Sequence, residues 1–129
     1  MVNVYIKTDS HYKVDRHRVR KTVIDFLSEK KIKANIEVSI SVVGDRMMKN
    51  LNHDYRKIDE TTDVLSFSIA SDLRSAFVDP PDGVLRLGDI IISYPQMIED
   101  ASAEDKLTDV KFDELVLHGL NHLLGIHHP

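Results

Sequence analysis

The spacing of the apolar residues changes twice within the first 43 positions of the chain. Val2, Val4 and Ile6 alternate with the residues between them, which predicts a half-buried β-strand. Helical intervals separate the next apolar set: Val19, Val23, Phe26 and Leu27. Alternation then returns in a third set: Ile36, Val38, Ile40 and Val42. The chain is therefore expected to begin with a strand, a helix and a second strand.

The remaining sequence predicts two more strands and three more helices. They are a short helix capped by Asp45, strands at residues 64–69 and 85–93, a helix from Pro95 towards Ala103, and a last helix capped by Thr108 or Asp109 and ending at Leu124. The fourth strand is almost continuously apolar, so we expect it to be buried on both faces. This order fits an α+β fold with one mixed sheet of about four strands packed with helices. We expect a single domain, residues 1–129.

The composition excludes several classes of protein. Cysteine does not occur, so any metal must be held by histidine or carboxylate side chains. No apolar run approaches the roughly 20 residues of a membrane-spanning helix. The first residues lack the basic and apolar segments of a secretory signal. We therefore expect a cytoplasmic protein without a membrane partner.

The charge is distributed unevenly along the chain. Residues 1–57 contain 13 Lys and Arg against 7 Asp and Glu, whereas residues 58–129 contain 4 against 14. A basic half can hold phosphates even in a chain of net charge −4, because binding depends on the local potential. The candidate side chains lie on the first helix and just after it: Arg16, Arg18, Arg20, Lys21, Lys30, Lys31 and Lys33. The alternative is a solvated helix face.

Four of the seven histidines lie in the last twelve residues. His118 and His122 are four residues apart on the last predicted helix, which places their Cβ atoms on one face about 5–6 Å apart. Gly125 can end this helix with a left-handed turn, and His128 follows where a third imidazole could reach the same ion. Three protein ligands and an open position are typical of a catalytic zinc site. A histidine-rich tail without ligand geometry is the alternative.

The residue after the first of these histidines bears on the chemistry of the site. Metzincin metalloproteases share the H-x3-H-x5-H spacing, but they have a glutamate at that position as the general base for peptide hydrolysis. Gly119 occupies the position here and has no side chain that could move a proton. Gly119 therefore argues against a metzincin-like peptide hydrolase, while the spacing still indicates a metal site.

Several segments resemble the motifs of a known family. The sequence from His118 to His128, HGLNHLLGIHH, is similar to the signature H-G-x-x-H-L-x-G-Y-D-H of the YbeY family. Residues 51–67 resemble its L-N-x-x-Y-R and T-D-V-L-S-F segments, and residues 87–90 resemble its L-G-D-I strand. The order and spacing of these matches identify the chain as similar to this family.

The chain departs from the family pattern near its third predicted ligand. Ile126 and His127 stand where the family has Tyr-Asp, and Ser68 replaces a proline. His127 is therefore an alternative third ligand, but His128 keeps the family spacing and is the residue that we predict. Family members also usually continue into a further helix beyond the position of Pro129.

The resemblance implies a bacterial-type, single-strand-specific, metal-dependent endoribonuclease that acts in rRNA maturation and ribosome quality control. Its implied partners are single-stranded rRNA, the small ribosomal subunit and associated assembly factors. It also implies one zinc ion, or another divalent metal, at His118, His122 and His128. The basic side chains of the first helix then become candidates for contact with the RNA backbone. A non-catalytic, zinc-containing ribosome-assembly factor is the alternative.

The resemblance also implies a functional role for Arg56. Its guanidinium group is planar and always charged, which suits phosphate oxygens as negative charge builds on them. The alternative role is an ordinary surface ion pair with one of three nearby carboxylates: Asp59, Glu60 or Asp63. Phosphate contact makes Arg56 the candidate catalytic residue of this chain.

The remaining candidates are one acidic and two aromatic residues. Glu114 lies one turn before His118 and could orient that imidazole, although we favour a helix-start carboxylate that only suits the helix dipole. Tyr55 and Phe67 could stack on RNA bases, but we predict that both belong to the core.

Overall fold

The computed structural model describes residues 1–9, 11–32, 35–69 and 83–125. Within these ranges the elements are β1 (Val2–Thr8), α1 (Arg16–Glu29), β2 (Asn35–Val43), α2 (Asp45–Arg56), β3 (Val64–Ser68), β4 (Val84–Ser93), α3 (Tyr94–Ala103) and α4 (Thr108–Leu123). The predicted α+β class with one mixed sheet is confirmed. None of the helices in the described part of the chain combines the length and apolar character needed to cross a membrane.

The strands form one sheet in the order β1-β2-β4-β3. β1 and β2 are parallel, as are β2 and β4, whereas β3 runs antiparallel to β4. In the last pair Ser66 lies opposite Ile90 and Phe67 lies opposite Asp89. β3 is therefore an edge strand whose neighbour in the sheet is β4.

The main core lies between one face of the sheet and three helices, α1, α3 and α4. α1 contributes Val19, Val23 and Leu27 to it, at the helical intervals that the sequence predicts. The strands and the other helices supply the remaining buried side chains: Val4, Ile6, Ile36, Val38, Ile40, Val42, Leu85, Leu87, Ile90, Ile92, Met97, Phe112, Leu115, Val116, Leu120 and Leu123. Burial of each large side chain of this kind contributes roughly 1.5–3 kcal/mol.

A bulge in β4 explains its almost continuous apolar sequence. The register with β2 shifts between Glu37 and Val38, which leaves one extra residue in β4 just before Gly88. The extra residue keeps the apolar side chains before and after it on the same face of the sheet. Arg86 and Asp89 are exposed, so the expectation of burial on both faces is wrong for this strand.

Gly88 also sets the contact between β4 and β3. Its φ of 137° lies in a region that side chains disfavour, and an added Cβ would lie 2.0 Å from the carbonyl oxygen of Phe67. Only glycine therefore allows the edge strand to lie this close to β4.

α2 contacts the opposite face of the sheet from the main core. The ring of Tyr55 in α2 packs against the ring of Phe67 in β3, with 4.7 Å between their centroids. Successive side chains of a strand point to opposite faces, so Ser66 faces the α4 side and Phe67 the α2 side. The edge strand is thus covered by a different helix on each face.

The residues predicted as N-caps of α2 and α4 lie instead in the first turn of each helix. Asp45 is the first residue of α2, and Gly44 is the cap. The Asp45 carboxylate instead accepts a hydrogen bond of 2.8 Å from the Ser93 hydroxyl, which joins the start of α2 to the end of β4. α4 is capped by Leu107, one residue before Thr108, and neither cap residue makes a side-chain capping bond.

Candidate metal centre

α4 presents two imidazoles beside its buried stripe. His118 and His122 are both exposed and lie one helical turn apart, so they are neighbours on the helix surface. Gly125 has a φ of +75°, which confirms the left-handed turn predicted at the end of this helix. His127 and His128 lie outside the described residues, so the choice of third ligand stays a prediction.

The edge strand supplies a contact to the second imidazole. The Ser66 hydroxyl forms a short hydrogen bond with Nδ1 of His122. A ring whose Nδ1 is engaged in this way presents Nε2 to a metal, and ligating histidines usually have such an outer partner. The sequence prediction did not include Ser66. The general need for an outer partner was foreseeable, but its identity depends on how β3 lies against α4.

The two described imidazoles fit a divalent metal as part of a larger ligand set. Nitrogen ligands of this type suit zinc, and neighbouring positions on one helix face let both rings reach one ion. The part of the chain that the structure describes contains no group of three or more potential ligands. His118 and His122 are the two predicted ligands that lie within the described residues, and the third predicted ligand, His128, lies outside them.

Close packing against the sheet explains the glycine between these histidines. A Cβ added at Gly119 would lie 2.8 Å and 2.9 Å from the Cγ2 and Cγ1 atoms of Ile90, in β4. These carbons sit on the branched, fully buried part of that side chain and cannot easily move away. A glutamate here, as in metzincins, would push α4 away from the sheet.

We expect the substitution Gly119→Ala to lower the free energy of unfolding. Overpacking a core contact costs about 1–3 kcal/mol, and the higher helix propensity of alanine offsets up to about 1 kcal/mol of that cost. Urea unfolding measures the difference. In the Ile90→Ala background, which removes the opposing carbons, the added methyl group should cost much less. A more stable Gly119→Ala protein would contradict the packing account.

Arg56 is the last residue of α2 and is exposed. Among the described residues, no carboxylate forms an ion pair with it, and Asp59 instead lies 4.0 Å from Lys49 Nζ. The guanidinium is thus available to a ligand. Arg56 lies on a different helix from the histidines, and that helix, α2, contacts the other face of the sheet.

The aromatic pair beside Arg56 differs from the prediction. Tyr55 is 65% exposed, so its assignment to the core is wrong, whereas Phe67 is half-buried beneath it. Phe67 shields one side of the Tyr55 ring and leaves much of the ring open to solvent. The end of α2 therefore offers an exposed aromatic ring next to an unpaired cation among the described residues.

The basic residues of α1 are largely used within the protein. Arg16 donates a 2.7 Å hydrogen bond to the carbonyl oxygen of Ile6. Arg18 pairs with Asp113 of α4 at 2.8 Å, and this hydrogen-bonded carboxylate raises the pKa of Arg18. Lys21 pairs with its helix neighbour Asp25 at 2.7 Å. These partners favour the solvated, ion-paired helix face over an RNA contact for all three cations; Lys33 lies outside the described residues.

Glu114 pairs with two lysines instead of orienting the His118 ring. Its carboxylate accepts a 2.7 Å bond from Lys106 Nζ and lies 3.5 Å from Lys111 Nζ. The hydrogen bond from Lys106 is the main reason that the pKa of Glu114 is lowered. The structure thus pairs Glu114 with lysines rather than with His118.

Comparison with known proteins identifies the fold and the family of this chain. A solution structure of a protein from Thermotoga maritima matches this chain with a TM-score of 0.59 and 22% sequence identity. The match covers 100% of this chain and 75% of the Thermotoga chain, so the two proteins share a fold. The family model described as Endoribonuclease YbeY matches residues 4–129. The chain belongs to the YbeY family.

Curated relatives support the same assignment. A protein named Endoribonuclease YbeY from Roseiflexus sp. (strain RS-1) is 38% identical over 115 residues, which are 89% of this chain and 71% of that protein. A protein of the same name from Dehalococcoides mccartyi (strain ATCC BAA-2266 / KCTC 15142 / 195) is 35% identical over 133 residues, covering 98% of this chain and 77% of that protein.

Proposed function

We propose that this protein is a zinc-dependent, single-strand-specific endoribonuclease of the cytoplasm that acts in rRNA maturation and ribosome quality control. The observation that carries the proposal is the pair of neighbouring imidazoles on α4, His118 and His122, in a chain whose relatives are named endoribonucleases. His128 is the proposed third ligand. Ribosomal RNA in the small subunit, together with assembly factors, is the proposed setting.

Metal binding and the type of reaction depend on different residues of this chain. A divalent metal at such a site supplies Lewis-acid polarisation of a phosphoryl oxygen and activation of water. His118 and His122 hold the ion, and Gly119 leaves no carboxylate at the position of the protease base. The site therefore suits phosphodiester hydrolysis better than peptide hydrolysis.

The end of α2 is the proposed RNA contact. Arg56 can donate two parallel hydrogen bonds to phosphate oxygens, and its charge persists at any relevant pH. The exposed ring of Tyr55, supported from below by Phe67, can stack on an unpaired base. A base must be unpaired to stack in this way, which supports a preference for single strands.

The substitution Tyr55→Ala should weaken binding of a single-stranded RNA oligonucleotide without changing the zinc content. Loss of one base–aromatic stack costs about 1–3 kcal/mol, or roughly 5- to 150-fold in affinity. Fluorescence anisotropy at fixed salt measures the change. Tyr5→Ala is the matched control, because Tyr5 is 53% exposed on the far edge strand. Equal weakening by both substitutions would count against the stacking role.

Cleavage of matched RNA substrates tests the whole proposal. Zinc-loaded protein should cut a single-stranded RNA and leave the corresponding duplex intact, and chelation of zinc should stop cleavage until zinc is restored. Full activity in metal-free protein would overturn the zinc requirement. Tight RNA binding without any cleavage would instead identify a non-catalytic assembly factor.

A further inference from the structure

Ser66 connects the sheet to the candidate metal centre through a short series of contacts. It lies opposite Ile90 in the β3–β4 pair, and Ile90 is the residue that packs closely against Gly119 of α4. The Ser66 side chain points to the α4 face and meets His122 one turn beyond Gly119. The tight helix–sheet contact therefore fixes the distance between the serine hydroxyl and the imidazole.

The contact turns Nδ1 of His122 towards Ser66, whose hydroxyl can accept a hydrogen bond from Nδ1–H or donate one to a bare Nδ1. In a neutral imidazole one nitrogen carries a proton and the other has the lone pair that binds a metal. If Nδ1–H donates to the Ser66 hydroxyl oxygen, the lone pair is on Nε2, which is the form needed for ligation through Nε2. No hydrogen bond to the ring of His118 occurs within the described ranges, so of the two histidines only His122 is oriented by such a bond there.

We propose that Ser66 is a positioning residue that orients the His122 ring for metal binding through Nε2 and accepts a hydrogen bond from Nδ1–H in the metal-bound form. The inference rests on the proposed metal site. It goes beyond the site by assigning a role to a residue on a different element from the ligands. The edge strand then takes part in forming the site, and displacement of β3 would alter metal affinity although no ligand belongs to it.

A set of matched variants tests this role. Ser66→Ala removes the hydroxyl, and Ser66→Thr keeps it in a residue that suits a strand. Ser41→Ala makes the same change as Ser66→Ala, but on the face of β2 that points away from the core. Zinc affinity is measured by competition with a chromophoric chelator. Ser66→Ala should lose about 10- to 100-fold, as expected for an outer partner of a ligating histidine. Ser66→Thr and Ser41→Ala should retain most of the affinity.

A second readout separates positioning from structural damage. Long-range proton–nitrogen NMR spectra of zinc-loaded protein should show His122 bound through Nε2 with a protected Nδ1 proton. Ser66→Ala should lose that protection, while thermal unfolding of the zinc-free variant stays close to that of the parent. Equal loss of affinity in Ser66→Ala and Ser66→Thr would overturn the role, because the hydroxyl would then be irrelevant.

His122→Ala distinguishes failure of this inference from failure of the proposed function. If Ser66→Ala binds zinc as tightly as the parent while His122→Ala does not bind it, the positioning role is wrong and the metal site stands. If His122→Ala also keeps its zinc, the metal site itself is wrong and the positioning role is wrong with it.

Discussion

The substitution His122→Ala is expected to remove zinc from the protein and to abolish RNA cleavage. A site with three protein ligands and an open position has no spare ligand, so the loss in zinc affinity should exceed the roughly 10- to 100-fold effect of losing an outer partner. His118→Ala should behave in the same way. Zinc content after dialysis and cleavage of a single-stranded RNA are the two measurements.

The effect of these histidine substitutions should be separable from unfolding. Both side chains are exposed, and surface substitutions usually change the free energy of unfolding by no more than about 0.5 kcal/mol. His17→Ala, at an exposed position on α1, is the matched control and should keep both zinc and activity. If His118→Ala and His122→Ala both cleave RNA normally, these residues are not the site.

The substitution Arg56→Ala is expected to keep zinc bound and to lose cleavage. Removing one preorganised group that stabilises developing charge typically lowers kcat by about 10²–10³-fold. Arg56→Lys should recover only part of the rate, because an ammonium group cannot form the two-pronged contact of a guanidinium. Single-turnover kinetics with saturating enzyme measure the chemical step directly.

Two outcomes would contradict this role for Arg56. Loss of zinc in Arg56→Ala would indicate that Arg56 supports the metal site or the fold, although it lies on a different helix from the histidines. Unchanged cleavage would leave it a surface cation. Arg46→Ala is the control, since Arg46 is an exposed arginine at the opposite end of α2.

Local patterns in the sequence predicted most of the fold and part of the site. Strands and helices follow from apolar periodicity, as at Val19 and Val23, because each element must bury one face. The spacing of His118 and His122 and the turn at Gly125 are also local, since a helix surface and a left-handed residue depend on nearby positions only. These features need no knowledge of distant contacts.

Features that depend on distant contacts could not be predicted in this way. Ser66 meets His122 only because β3 joins the sheet beside β4 and beneath α4. Arg18 is removed from the candidate RNA surface by Asp113, which is 95 positions away in sequence. Tyr55 was predicted to belong to the core, but its ring packs against Phe67 of β3 and stays 65% exposed. In each case the contact depends on how the fold brings distant segments of the chain together.

An anomalous difference map at the zinc absorption edge, from crystals of the zinc-loaded protein, would show whether the α4 histidines bind a catalytic metal ion. We predict one ion bound to nitrogen atoms of His118, His122 and His128 at about 2.0–2.1 Å, with the fourth position open to solvent or substrate. His127 in place of His128 would change the third ligand and leave the claim intact. An ion closed by four protein side chains, or no ion at the two α4 histidines, would contradict it.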